Sequence, residues 1–220
     1  MNMQRVTELL VLVFIGAGLV CAQNANFLVP GVGVKAGVPL NQMFSTYSIS
    51  ALDYPTRYTP YSYAVPRYQV GLYADFHFTK HWGFEVDGLF RRGGFSFEQP
   101  ANQAYAHTVF NNWEFPFLIQ YNLTHGRLRP FLNAGAALRH ISGVQTVSWG
   151  AFPTTTQSSS DILRNSGSWG GVVGVGLTFK EGPLEISPEV RYTRWVNQSF
   201  NAVGLVNSLN EGVFLLGIGF

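Results

Sequence analysis

The sequence predicts an all-β chain: an eight-stranded antiparallel up-and-down β-barrel that spans a membrane. Three observations predict it. Apolar and polar residues alternate with period two along most of the chain, the signature of a strand with two unlike faces. Short and long connections follow one another in strict succession. Finally, 46% of the 220 residues are hydrophobic and only 12% charged, against about 25% charged in an ordinary soluble domain, yet no long apolar run follows the N-terminus.

Gly31 to Leu40 sets Val32, Val34, Ala36 and Val38 against Lys35 and glycines. Tyr68 to Phe78 is the clearest, with Tyr68, Val70, Leu72, Ala74, Phe76 and Phe78 opposite Gln69, Gly71, Tyr73, Asp75 and His77. Phe84, Val86 and Phe90 alternate with Glu85, Asp87 and Arg91. Trp113 to Leu123 opposes its aromatics to Glu114, Pro116, Leu118, Gln120 and Asn122. Leu128 to Leu138 interleaves Arg129, Asn133 and Gly135, and Arg139 continues that polar face. Trp169 to Phe179 interleaves Gly170, Gly174, Gly176 and Thr178. Leu184 to Tyr192 interleaves Glu185, Ser187, Glu189 and Arg191, and the last strand, near Gly212 to Phe220, puts Phe214, Leu216, Ile218 and Phe220 on one face. Segments of about 9–12 residues suit tilted membrane-spanning strands.

Short connections fall at Thr79–Trp82, Thr124–Gly126 and Lys180–Gly182, and long ones near Asn41–Pro66, Ser96–Thr108, Ile141–Gly167 and Val196–Glu211. An even strand number puts both ends of the barrel at the short-turn rim. The N-terminus reads as an export address: Arg5, then the 12 apolar residues Leu9 to Val20, then Val20-Cys21-Ala22 before Gln23. The expected division is a cleaved signal peptide over residues 1–22 and the barrel over 23–220. The run is too short for a helical anchor, which takes about 20 apolar residues. A lipid-bearing Cys21 is the competing reading, which Val20 fits poorly. Cys21 is the only cysteine, so a disulfide within the chain and a cysteine metal site are excluded.

At this point the chain resembles the small, eight-stranded bacterial outer-membrane β-barrel proteins. The likeness rests on Gly31-Val32-Gly33-Val34-Lys35-Ala36-Gly37-Val38-Pro39-Leu40, on Trp113-Glu114-Phe115-Pro116-Phe117-Leu118, on Arg129-Pro130-Phe131-Leu132-Asn133-Ala134-Gly135, and on the terminal Phe220 after alternating apolar residues. The resemblance spans the whole mature chain. It implies short periplasmic turns, long extracellular loops, residence in the bacterial outer membrane, and a C-terminal signal of Phe214, Leu216, Ile218 and Phe220 read by barrel-assembly machinery. Physics points the same way, because backbone groups in lipid must be bonded within the protein and only helices and closed barrels achieve that.

An eight-stranded barrel is just wide enough for side chains to fill it. The polar face would carry Lys35, Asp75, His77, Glu85, Asp87, Arg91, Glu114, Arg139, Glu185, Glu189 and Arg191, with both signs present. Buried charges must be paired, so a salt-bridge network plugging the lumen is expected, with Gly170, Gly174 and Gly176 leaving room. Trp82, Trp113, Trp169 and Trp195 lie near strand ends and read as an interfacial aromatic girdle.

Catalytic and ligand readings are weaker. Ser158-Ser159-Ser160-Asp161 and His140 make a hydrolase triad only on paper, without a Gly-x-Ser-x-Gly elbow. His77 and His81 lack a His-Glu-x-x-His frame for a metal, and Gly31-x-Gly33 and Gly174-x-Gly176 do not join a strand to a helix as nucleotide loops do. Asn122-Leu123-Thr124 and Asn197-Gln198-Ser199 match glycosylation acceptors that a bacterial exported protein would not normally use. The expectation is therefore a non-enzyme without cofactor or metal, monomeric, whose partners are outer-membrane lipid and the assembly machinery. The net charge of +2 argues against nucleic acid. The leading reading is a structural or interaction barrel acting through its long loops, among them the Tyr-rich stretch with Tyr47, Tyr54, Tyr58, Tyr61 and Tyr63. Its competitors are a narrow porin-like channel for small or apolar solutes, a lipocalin-like soluble barrel with the apolar face inward, and a lipid-modifying barrel enzyme. Alternation alone does not say which face is inside.

Overall fold

Eight strands close into a ring in a computed structural model that describes residues 31–41, 43–46, 59–62, 68–99, 104–149, 155–158, 163–200 and 205–220. The strands are β1 (Gly31–Pro39), β4 (Gln69–His77), β5 (Trp82–Gln99), β6 (Ala104–Asn122), β7 (Leu128–Trp149), β9 (Gly167–Glu181), β10 (Leu184–Trp195) and β12 (Asn210–Gly219). Each pairs antiparallel with its neighbour, and β12 returns to β1 with Lys35 opposite Gly217 and Val38 opposite Phe214. The ring leaves no open edge, so every wall strand has two partners. Four short strands lie off this wall: β2 (Phe44–Thr46), β3 (Thr59–Ser62), β8 (Thr155–Ser158) and β11 (Leu205–Asn207). Of these, β3 extends the wall beside β5, β8 pairs with β7, and β2 pairs with β11. The proposed signal peptide, residues 1–22, lies outside the described residues.

The turns at the lower rim follow from their residues. Thr79 Oγ1 accepts the backbone N–H groups of His81 and Trp82 (3.2 and 2.9 Å), capping the β4–β5 turn. Gly182 takes φ 61°, a left-handed conformation that glycine adopts without steric penalty, and lets Gly182-Pro183 reverse the chain between β9 and β10. Gly143, also at φ 61°, sits where the β6–β7 register slips between Val109 and Asn111. This is a bulge, which bends the long β7 strand.

At the upper rim the structure corrects the sequence reading. Ser96–Thr108, expected as a loop, is mostly strand: β5 runs to Gln99 and β6 starts at Ala104, with Ser96 opposite His107. The strand β7 likewise continues through Ile141 to Trp149. These strands have 18, 19 and 22 residues, well beyond the ~9–11 needed to cross a bilayer, so the hairpins stand above the membrane. Their polar, turn-like composition describes a water-exposed hairpin as well as it describes a loop.

Val34, Leu72, Ile119, Leu132, Val173, Val175, Val190 and Leu216 point away from the barrel axis and are exposed, while Lys35, Glu85, Asp87, Glu189 and Arg191 are buried inside. A lipocalin-like barrel requires the opposite arrangement, so that alternative is excluded. In water such a continuous apolar wall would aggregate; in lipid it is the solvated surface.

Candidate functional site: the lumen and its extracellular mouth

The interior is built from period two. Because β1, β5 and β10 each turn every second side chain inward, Lys35, Glu85, Asp87, Glu189 and Arg191 converge from different strands. The Lys35 ammonium lies 2.5 Å from Glu85, 3.3 Å from Glu189 and 3.4 Å from Asp87. Arg191 reaches Asp87 (2.6 Å), Glu189 (2.8 Å) and Glu85 (3.1 Å). Asn133 donates to Glu189 at 2.7 Å, and Lys35 also stands 4.8 Å from the Tyr73 ring centre. Two cations thus hold three carboxylates in a buried layer, where each charge depends on its partners.

A second layer lies nearer the extracellular side. Arg139 bonds Glu114 at 2.9 Å and contacts Glu211, and Arg91 contacts Glu211 and lies 3.6 Å from Glu114. Asn112 and Gln69 donate to Glu114 (2.7 and 3.3 Å). Trp195 donates its ring N–H to Glu211 at 3.0 Å and stacks under the Arg139 guanidinium at 3.7 Å. Trp195 is 2% exposed, whereas Trp169 is 55% exposed. Trp195 is therefore not part of the lipid-facing girdle, as its place at a strand end suggested. It shares the parity of Glu189 and Arg191, which is the lumen parity. Trp82, Trp113 and Trp169 do face outward, and Trp82 packs against Tyr121 at 4.8 Å.

The remaining sequence candidates lie toward the periplasmic mouth. His77 and Asp75 approach to 3.4 Å and are partly buried. Glu185 pairs with Arg129 at 2.7 Å and with Lys180, apart from the two inner layers. The sequence reading missed Glu211, which it left in a long loop although it alternates in step with the inward face of the last strand. It set Gln69 and Asn133 on the polar face without giving them a part in the network, and it missed Asn112; neutral amides give no charge signal. Gly174 and Gly176 do make room: an added Cβ would meet Asn133 and Glu189 at the first and the Phe131 ring at the second. Gly170 serves a different purpose, since its Cβ would strike the backbone of Arg194 on β10.

Above the charges sits an apolar layer, part of it in step with the inward faces of the wall strands and part brought in from the connections. Phe44, Phe95, Phe110, Ile141, Val144 and Phe200 form one buried cluster, with Met43 and Leu163 against it. Phe44 lies 5.3, 5.9 and 5.5 Å from Phe95, Phe110 and Phe200, all edge-to-face, a favourable aromatic geometry. Phe95 and Phe110 come from the wall, Phe44 from β2 and Phe200 from the β10–β11 connection. The connections thus fold over the mouth and seat aromatic rings on the Arg91–Arg139 layer.

Other sequence candidates are not assembled into a site. His140 faces outward on β7, and Ser159, Ser160 and Asp161 lie outside the described residues. Among the described residues no group of three or more His, Cys, Asp or Glu is placed to hold a metal ion.

An apolar exterior, a charged interior, short turns at one rim and tall hairpins at the other define an integral outer-membrane β-barrel. Residues 21–201 match the family described as outer membrane protein beta-barrel domain, and the chain belongs to that family; its place is the bacterial outer membrane. Among solved structures, the outer membrane protein OprG from Pseudomonas aeruginosa shares the fold, with a TM-score of 0.54 at 16% identity over 87% of this chain and 93% of that one. Ail, the attachment invasion locus protein of Yersinia pestis, aligns with a TM-score of 0.42 at 12% identity over 86% of this chain and 95% of that one. Neisserial surface protein A aligns with a TM-score of 0.39 at 11% identity over 86% and 94%. The sequence finds no match among curated proteins.

Proposed function

We propose that this barrel is a non-conducting anchor, monomeric and non-enzymatic, that presents its extracellular hairpins and loops to partners outside the cell. One observation carries the reading: the lumen is filled at successive levels, by two ion-paired layers and by the aromatic cluster over them. Passage of a solute would require breaking buried ion pairs and displacing Phe44 and Phe200 together. What remains available is the loop end, where β5, β6 and β7 rise well clear of the bilayer. We also assign export to residues 1–22, and recognition by assembly machinery to the outward row Phe214, Leu216, Ile218 and Phe220 on the strand that closes the ring.

Planar-bilayer recording tests the closed lumen. The refolded chain is expected to insert without steady conductance, and Phe44→Ser with Phe200→Ser to stay silent, because the charge layers below remain. Sustained ohmic steps from the unmodified chain would instead establish the narrow-channel alternative. Replacing residues 47–58 by a Gly/Ser linker tests the interaction role: binding of extracellular proteins to intact expressing cells is expected to fall while membrane recovery is unchanged, and unchanged binding would remove that segment from the role.

A further inference from the structure

The periplasmic rim carries a pair of histidines in which the lumen network has no part. His81 lies in the β4–β5 turn and His125 in the β6–β7 turn, and their ring centres stand 4.2 Å apart with the planes tilted by 51°. The barrel register brings the two turns together, since Trp82 at the start of β5 is opposite Tyr121 near the end of β6.

His81 is held at both its backbone and its ring. Its N–H donates to Thr79 Oγ1 at 3.2 Å, and its carbonyl accepts the Asn122 N–H at 2.7 Å. The ring stacks on Tyr121, with centres 5.6 Å apart and planes 20° apart. Its Nδ1 lies 2.8 Å from the Asn122 carbonyl oxygen. A carbonyl only accepts, so Nδ1 carries a proton and donates it. In the neutral ring the lone pair is therefore on Nε2, which no described residue engages. An imidazole whose other nitrogen donates to a backbone carbonyl is oriented and made more basic in the way that metal-binding histidines are. His125 is exposed, on a turn that is itself pinned. The Thr124 hydroxyl donates to the Leu128 carbonyl at 3.0 Å, and the Leu123 N–H donates to the Pro130 carbonyl at 2.9 Å.

We propose that His81 and His125 form a two-imidazole site for a divalent late transition cation of the Zn²⁺ or Cu²⁺ type. Nε2 of His81 and a ring nitrogen of His125 bind the ion, and water completes its shell. Imidazole suits these metals, whereas Ca²⁺ and Mg²⁺ take oxygen ligands. Metal–nitrogen bonds of ~2.0–2.1 Å bridge neighbouring rings once the exposed His125 side chain turns toward His81. The ion then ties the β4–β5 turn to the β6–β7 turn. The site stands at the rim, so it is independent of whether the lumen conducts.

Calorimetric titration of the detergent-purified chain, free of any affinity tag, tests this with Zn²⁺ and with Ca²⁺. One Zn²⁺ per chain is expected, and no binding of Ca²⁺. His81→Ala and His125→Ala should each weaken Zn²⁺ binding by at least about tenfold, the effect that loss of a ligand's support alone produces. His140→Ala, on the outer wall, should leave it unchanged. Electron paramagnetic resonance of the Cu²⁺-loaded chain gives a readout that mere packing of the two rings would not move. Coupling to two imidazole nitrogens is expected in the unmodified chain and to one in either variant. Heat-dependent gel mobility confirms that each variant is folded. The proposal is overturned if the unmodified chain binds no Zn²⁺, if the double variant His81→Ala, His125→Ala binds it as tightly as the unmodified chain, or if neither substitution changes the Cu²⁺ spectrum.

Discussion

Replacing Arg191 by Leu is expected to lower the stability of the folded barrel by about 3–5 kcal/mol, the cost of stripping one partner from a buried ion cluster. Arg191 contacts three carboxylates, Glu85, Asp87 and Glu189, and its loss leaves Lys35 alone to hold them. Burial is what makes this large: the same pairs on a wet surface would be worth about 0–1 kcal/mol. Urea titration in micelles, followed by gel mobility, measures it. Arg191→Lys should recover part of the loss, because it restores the charge without the bidentate contact to Glu189. A loss below about 1 kcal/mol would mean that water fills the lumen and screens the layer.

Val175 on the outer wall gives the second large effect. It is exposed and registers with Leu132 on β7 and Val190 on β10, within the apolar band. Val175→Arg is expected to cost about 2–4 kcal/mol, the depth-dependent cost of a cation on the lipid face of such a barrel. Val175→Trp should be nearly neutral, because lipid yields where a packed core would not. The same titration separates the cases. If Arg and Trp at 175 were both harmless, the wall would be facing water.

Legibility followed periodicity. Lys35, Glu85, Asp87, Glu189 and Arg191 could be grouped without coordinates, because one turn of the pleat separates inward from outward at every step. Alternation alone is symmetric under exchange of the two faces; the scarcity of charge, the short and long connections and the terminal Phe220 put the charges inward, and the closed barrel has them there. Glu211 escaped because it stands at the start of a strand, where loop and strand compositions merge. Trp195 was misplaced because position along the strand was weighed above its parity. The aromatic mouth could not be anticipated: Phe44 and Phe200 lie outside any alternating run, and only the return of their connections over the ring brings them to Phe95 and Phe110.

Tryptophan quenching by lipids brominated along their acyl chains tests most directly that this barrel turns its apolar face to the membrane and its charges inward. Two single-tryptophan chains, with the other tryptophans changed to Phe, would be reconstituted in such bilayers. The chain retaining Trp169 should be strongly quenched, and the chain retaining Trp195, held between Arg139 and Glu211, should not. Strong quenching of Trp195 with Trp169 spared would contradict the assignment of the two faces.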